Sequence, residues 1–185
     1  MKNTKFFFYL AVTGVMAIAA CKGGKPDDTV LAEMSQFEGD WGKAASDLKG
    51  WEATLSAAMT ATKSCLDSSC GEGAVCKKGS EGKCDTLKAS CKTIQADLEA
   101  AKEEYTKAVA ANEADGIAWT EWAEKAKKGE VEAADLTKAM DHWNMKLKDL
   151  KSNMTKWDDG VKALTEKCKA NCLDMKACCE TGKKP

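Results

Sequence analysis

The chain has 185 residues, with 28 lysines against 29 acidic residues, a net charge of −1 and no arginine. Arginine supplies the bidentate fork that reads phosphate and guanine, so its absence beside an acidic balance argues against nucleic-acid binding. Only two prolines, with abundant Ala, Lys, Glu and Leu, point to an all-helical chain.

The first element is a leader. Lys2 and Lys5 precede an apolar run from Phe6 to Ala20 that is too short for a spanning helix of roughly 20 apolar residues. It ends in Ile18-Ala19-Ala20-Cys21: an aliphatic residue, two small residues and a cysteine. This junction resembles the lipobox of bacterial lipoproteins. The resemblance implies cleavage before Cys21 and acylation of that cysteine, which makes the lipid bilayer a partner. Several acyl chains hold a protein stably where one would not. Lys22 in place of Asp after the anchor resembles lipoproteins sent to the outer membrane. Residues 1–20 are therefore read as signal peptide, 21–28 as lipidated tether, 29–180 as one domain and 181–185 as tail. Removing the leader takes away two lysines and no acidic residue, so the mature charge is −3.

Asp27 or Asp28 can cap the helix that follows the tether. Its apolar or small residues recur in steps of three and four: Met34, Phe37, Trp41, Ala44, Leu48, Trp51, Leu55 and Ala58. A Gly- and Ser-rich connection, LDSSCGEGAVCKKGSEGK, comes next. The second helix carries the same stripe through Cys84, Leu87, Cys91, Ile94, Leu98, Ala101, Tyr105 and Ala108. After polar Asn112 and Asp115 it resumes at Trp119, Trp122 and Ala126. Gly116 in NEADG is a place for a kink or interruption. Lysines and Gly129 then form a C-terminal cap and a tight turn. The third stripe runs Leu136, Met140, Trp143, Leu147, Leu150, Met154, Trp157, Val161, Leu164, Cys168 and on to Met175. Steps of three and four sustained this long predict an antiparallel three-helix, coiled-coil-like bundle, with segments about 50 Å long. A disulfide-rich cap closes one end.

That topology sends Cys65, Cys70, Cys76, Cys84, Cys91, Cys168, Cys172, Cys178 and Cys179 to one pole and Cys21 to the other. Nine cysteines in an exported chain imply an oxidising compartment and a disulfide framework. Because nine is odd, at least one is free, pairs between chains in a disulfide-linked dimer, or binds something. The tight turn at Gly129 sets facing positions of the second and third helices at numbers summing to roughly 258. It pairs Ile94 with Leu164 and Ala101 with Trp157. It predicts a Cys91–Cys168 bridge, and less strictly Cys84–Cys172.

The cysteine spacings do not match the C-x2-C pairs of structural zinc sites, so no metal or other cofactor is expected; a soft-metal or small-ligand site at the cap or beside Asn112 and Asp115 is the alternative. Met140, His142 and Met145 carry copper-binding chemistry, yet the helical phase leaves His142 and Met145 off the core stripe. The six tryptophans fall on the stripes as large core residues, and Asp115 is placed to accept from the Trp143 indole. No catalytic constellation is evident, so the chain reads as non-enzymatic. The expected function is a structural or interaction lipoprotein of the envelope, its tip meeting another envelope protein.

Overall fold

The structure, a computed structural model, describes residues 25–69 and 75–180. The lipobox, Cys21, Cys70 and the 181–185 tail lie outside the described residues. Helix α1 covers Asp28–Ser69, α2 Glu81–Lys127 and α3 Ala133–Cys178, and each packs against the other two. Two-residue strands β1, Val75–Cys76, and β2, Cys179–Glu180, pair antiparallel.

Local chemistry sets the helix ends. The Asp27 carboxylate accepts the Val30 N–H at 2.9 Å, satisfying one donor that the first turn of α1 leaves open. At the other end of α2, Gly129 takes φ 78°; its N–H donates to Ala126 O, and the Glu130 N–H reaches back to Lys125 O. This Schellman closure turns the chain within five residues, and Lys125 and Lys127 favour the negative end of the helix. Between α1 and α2, β1 clips onto the end of α3, with Val75 opposite Glu180, Cys76 opposite Cys179, and Lys77 N–H donating to Cys178 O. The Gly-rich connection is thereby tied to the bundle by main-chain bonds, a clip that the helical periodicity does not announce.

Helix α2 runs through NEADG without a break, contrary to the interruption expected there. One glycine inside a long helix costs only about 1 kcal/mol, which packing along 47 residues outweighs. Trp41 packs beside Gly116 without requiring it: a Cβ there would lie 3.6 Å from the indole Nε1, an ordinary contact.

The core follows the stripes. Every stripe residue of α1 from Met34 to Ala58 is buried. The packing repeats every two heptads. Phe37, Trp51 and Cys65 on α1 are 14 residues apart, as are Trp119, Tyr105 and Cys91 on α2, and Trp143 and Trp157 on α3. In the first layer Phe37 lies 4.2 Å from Trp119 and 6.4 Å from Trp143, between ring centroids. In the second, Trp51 lies 5.4 Å from Tyr105 and 5.6 Å from Trp157. The third is made of sulfur, with Cys65 4.0 Å from Cys91. Fourteen residues rise about 21 Å, so the layers step evenly up the rod. A repeat held to sevens, against 3.6 residues per turn, is the condition for a left-handed supercoil.

The apolar core divides into a lower cluster around Phe37, Trp119 and Trp143 and an upper one around Trp51, Leu98 and the sulfurs, with Leu150 packed against both. The Asn112 side chain is buried in α2 between these clusters, and its Oδ1 has no hydrogen-bond partner.

Candidate functional site at the cysteine pole

Ions and rings fix the register between helices. Facing pairs of α2 and α3 sum to between 257, for Lys83–Asp174, and 262, for Trp119–Trp143, close to the value set by the tight turn. Cys91 and Cys168 do face each other, and with Cys65 their sulfurs all lie within 4.8 Å of one another. The bonded pair is a different one. Cys65 is bridged to Cys172, with Cα atoms 5.7 Å apart, inside the usual disulfide window. Cys91 and Cys168 are free thiols, and Cys84 does not bond Cys172. The expected Cys91–Cys168 and Cys84–Cys172 bridges are thus not those of the structure. The physical reason is the third helix: the register was set by α2 and α3 alone, whereas α1, parallel to α3, brings Cys65 onto Cys172.

Two groups of sulfur result. The inner one holds Cys65, Cys91, Cys168 and Cys172 within the upper core. The outer one joins Cys84 to Cys76 and Cys178, where the β clip meets the ends of α2 and α3. Of Cys179 the main chain is described, paired with Cys76.

One thiol in each group is held in its protonated form, Cys91 in the inner and Cys84 in the outer. Burial pushes the Cys91 thiol above its ordinary value of 9.0; the Asn171 side chain opposes the shift, and neighbouring Cys168 adds to it. Asn171 is held in place by donating to Ser90 Oγ at 3.0 Å. The Cys84 thiol is driven far higher, first by its hydrogen bond with Cys76, then by burial, then by Cys178. Both thiols therefore keep their protons in the folded chain at a pH where the unfolded chain loses them. The resulting stabilisation is complete below pH 9.0 and is lost as pH rises from there towards the folded values. We expect urea midpoints measured from pH 8 to 11 to fall above about pH 9, and Cys91→Ser to reduce that fall. A flat profile would contradict this assignment.

Chemically, three sulfurs from three helices can do two things. One thiol can exchange with the bridge beside it, or, with the bridge reduced, the group can surround a soft cation. A tetrahedral zinc–sulfur distance of about 2.3 Å sets sulfur–sulfur edges of about 3.8 Å. The 4.0 Å between Cys65 and Cys91 is close to that. Spacing along the sequence misses this group, because each helix contributes separately; the 14-residue repeat that ends in Cys65 and Cys91 is the signal that carries it.

The other candidates disperse. Met140 is buried, whereas His142 and Met145 are exposed, His142 standing edge-on to Trp143, so the three do not converge on an ion. Asp115 does not accept from Trp143; it pairs with Lys146, whose ammonium also sits 5.6 Å above the Trp143 ring. The buried indole N–H groups of Trp51 and Trp119 have no acceptor.

No family model matches the chain, and neither a curated protein nor a solved structure matches it.

Proposed function

We propose that the protein is a non-enzymatic lipoprotein of the bacterial envelope, anchored through acylated Cys21 and probing outward with a cross-linked tip that meets another envelope protein. The observation that carries this reading is polar segregation. The described cysteines and the Cys65–Cys172 bridge gather at one pole, while α1 begins at the other, seven residues after the lipobox cysteine. A helix of 42 residues rises about 63 Å, so the bundle acts as a stiff spacer. No described helix is long and apolar enough to cross a membrane, which is in keeping with attachment by lipid. At the tip, an apolar groove of about 330 Å³ runs between α1 and α3 beside the bridge, with Leu173 69% exposed on its rim. A large exposed leucine next to a locked scaffold suits a contact surface. Outer-membrane sorting follows the Lys22 resemblance and belongs to the same proposal.

The test is membrane fractionation with intact mass. The parent protein should partition with membranes and carry acyl mass on Cys21, and Cys21→Ser should appear in the soluble fraction without it. Parent protein free of acyl mass would end the proposal.

A second reading has one specific support, the convergence of three sulfurs within 4.8 Å. On that reading the tip, once reduced, holds a soft cation. Counting reactive thiols on protein isolated under non-reducing conditions, with and without chelator, separates the two. Thiols that become reactive only on chelation favour the cation, and an unchanged count favours the locked tip.

A further inference from the structure

We propose that the inner sulfur group is a four-thiolate site for a zinc-class ion, and that oxidation of its Cys65 and Cys172 ligands to the bridge releases that ion. This rests on the soft-cation reading of the tip and deepens it, naming the ligands and the switch.

The ligands come from three helices. Cys65 on α1, Cys91 on α2 and Cys168 on α3 are at most 3% exposed, and their sulfurs lie within 4.8 Å of one another. Cys172 supplies the fourth. Its sulfur bonds that of Cys65, and it follows Cys168 by one turn of α3. An i, i+4 pair on one helix face presents two donors to one ion, as the two histidines of H-E-x-x-H do. Cys168-x3-Cys172 thus gives on a helix what C-x2-C gives on a loop. Four thiolates in a tetrahedron suit zinc. Asn171, next to Cys172, donates at 3.0 Å to Ser90, next to Cys91, and so ties α3 to α2 beside two of the ligands. Cys168 and Cys172 both line the groove between α1 and α3, which provides a way in.

Bridge and ion compete for the same two sulfurs. The bridge removes Cys65 and Cys172 from the ligand set and leaves Cys91 and Cys168 as thiols. A small organic disulfide, R–S–S–R, drives the change. Cys172 is half-buried whereas Cys65 is buried, so Cys172 reacts first. Its thiolate attacks one sulfur of the reagent and expels RS⁻. The Cys65 thiolate then attacks Cys172 Sγ, expels the second RS⁻ and closes the bridge. Two electrons pass to the reagent, the ion leaves with its charge unchanged, and Cys91 and Cys168 each take a proton from water. The end state is the arrangement in the structure, a Cys65–Cys172 bridge beside free Cys91 and Cys168.

The test begins with the full chain carrying Cys76→Ser and Cys178→Ser, which leave the outer group short of ligands. It is reduced, freed of reductant without air and titrated with cobalt(II), which takes zinc's tetrahedral place and reports thiolates by charge-transfer absorption. One cobalt should bind with a four-thiolate band that zinc abolishes. Adding Cys172→Ser, which costs no bridge in reduced protein, should weaken the band and lower affinity at least about tenfold, as should adding Cys91→Ser. Treating the zinc-loaded chain with hydroxyethyl disulfide should release one zinc for each Cys65–Cys172 bridge found by peptide mapping. Absence of any cobalt–thiolate band would end the soft-cation reading together with this proposal. A band and affinity that Cys172→Ser leaves unchanged, or zinc that stays bound after the Cys65–Cys172 bridge has formed, would overturn the switch and leave that reading standing.

Discussion

Replacing Cys172 with serine in the oxidised protein should remove about 3–5 kcal/mol of stability, seen as a lower urea midpoint. The bridge to Cys65 closes a separation of 107 residues and fastens the top of α1 to the top of α3. Closure entropy for a loop of about 100 residues is worth about 4.7 kcal/mol, and native bridges removed from small exported domains typically cost 2–5 kcal/mol. The expected loss comes with a complication that the geometry itself predicts. Cys65, once released, still lies 4.0 Å from the Cys91 sulfur, and their separation is only 26 residues. A substitute bridge there would restore about 3.5 kcal/mol by the same relation. Peptide mapping of Cys172→Ser should therefore find Cys65 bridged to Cys91 or Cys168 in part of the sample, and adding Cys91→Ser and Cys168→Ser should bring out the whole loss. If the single and triple variants both unfold at the parent's urea midpoint, the bridge does not hold the tip together.

The contrast between what the residues disclose and what they conceal follows from where each constraint acts. Steps of three and four place Met34 through Ala58 on the buried face of α1 because helical phase is a local property, fixed within a few turns. The same holds for the Gly129 turn: a positive-φ glycine after lysines forces α3 back along α2, and the register follows by counting. The height of α1 has no such counter. Its connection to α2 is long and Gly-rich, and only packing, with Phe37 on Trp119 and Trp51 on Tyr105, decides which cysteine Cys65 meets. Disulfide pairing was therefore legible for facing and illegible for bonding. Asp115 shows a further limit. Counting brings it near Trp143, but Lys146 lies one turn on, and a cation outcompetes an indole N–H for a carboxylate in a half-buried place. The Val75–Cys76 strand escapes the periodicity altogether, being two residues whose partner is at the far end of the chain.

Trp119→Ala should cost about 3–5 kcal/mol, and the loss should be concentrated in the lower half of the rod. Trp119 is 4% exposed and stands at the centre of an aromatic group, with ring centroids 4.2 Å from Phe37, 5.2 Å from Trp122 and 5.7 Å from Trp143. Truncation removes a bicyclic side chain that fills the space among three helices, and each aromatic pair adds about 0.5–1.5 kcal/mol beyond its buried area. The indole N–H does not share in that contribution, because it has no acceptor. Trp119→Phe, which keeps a ring and discards the unpaired donor, should accordingly lose well under half as much as alanine. Localisation follows from how the two clusters join. Leu150 packs against both, while polar Asn112 interrupts the apolar contact between them, and the Cys65–Cys172 bridge fastens only the upper one. Hydrogen exchange on Trp119→Ala should then show faster opening near Trp41, Ala123 and Trp143, with protection around Leu55, Leu98 and Val161 close to that of the parent. Uniform acceleration along all three helices would instead mean that the rod opens as a single cooperative unit, with Leu150 sufficient to couple its halves.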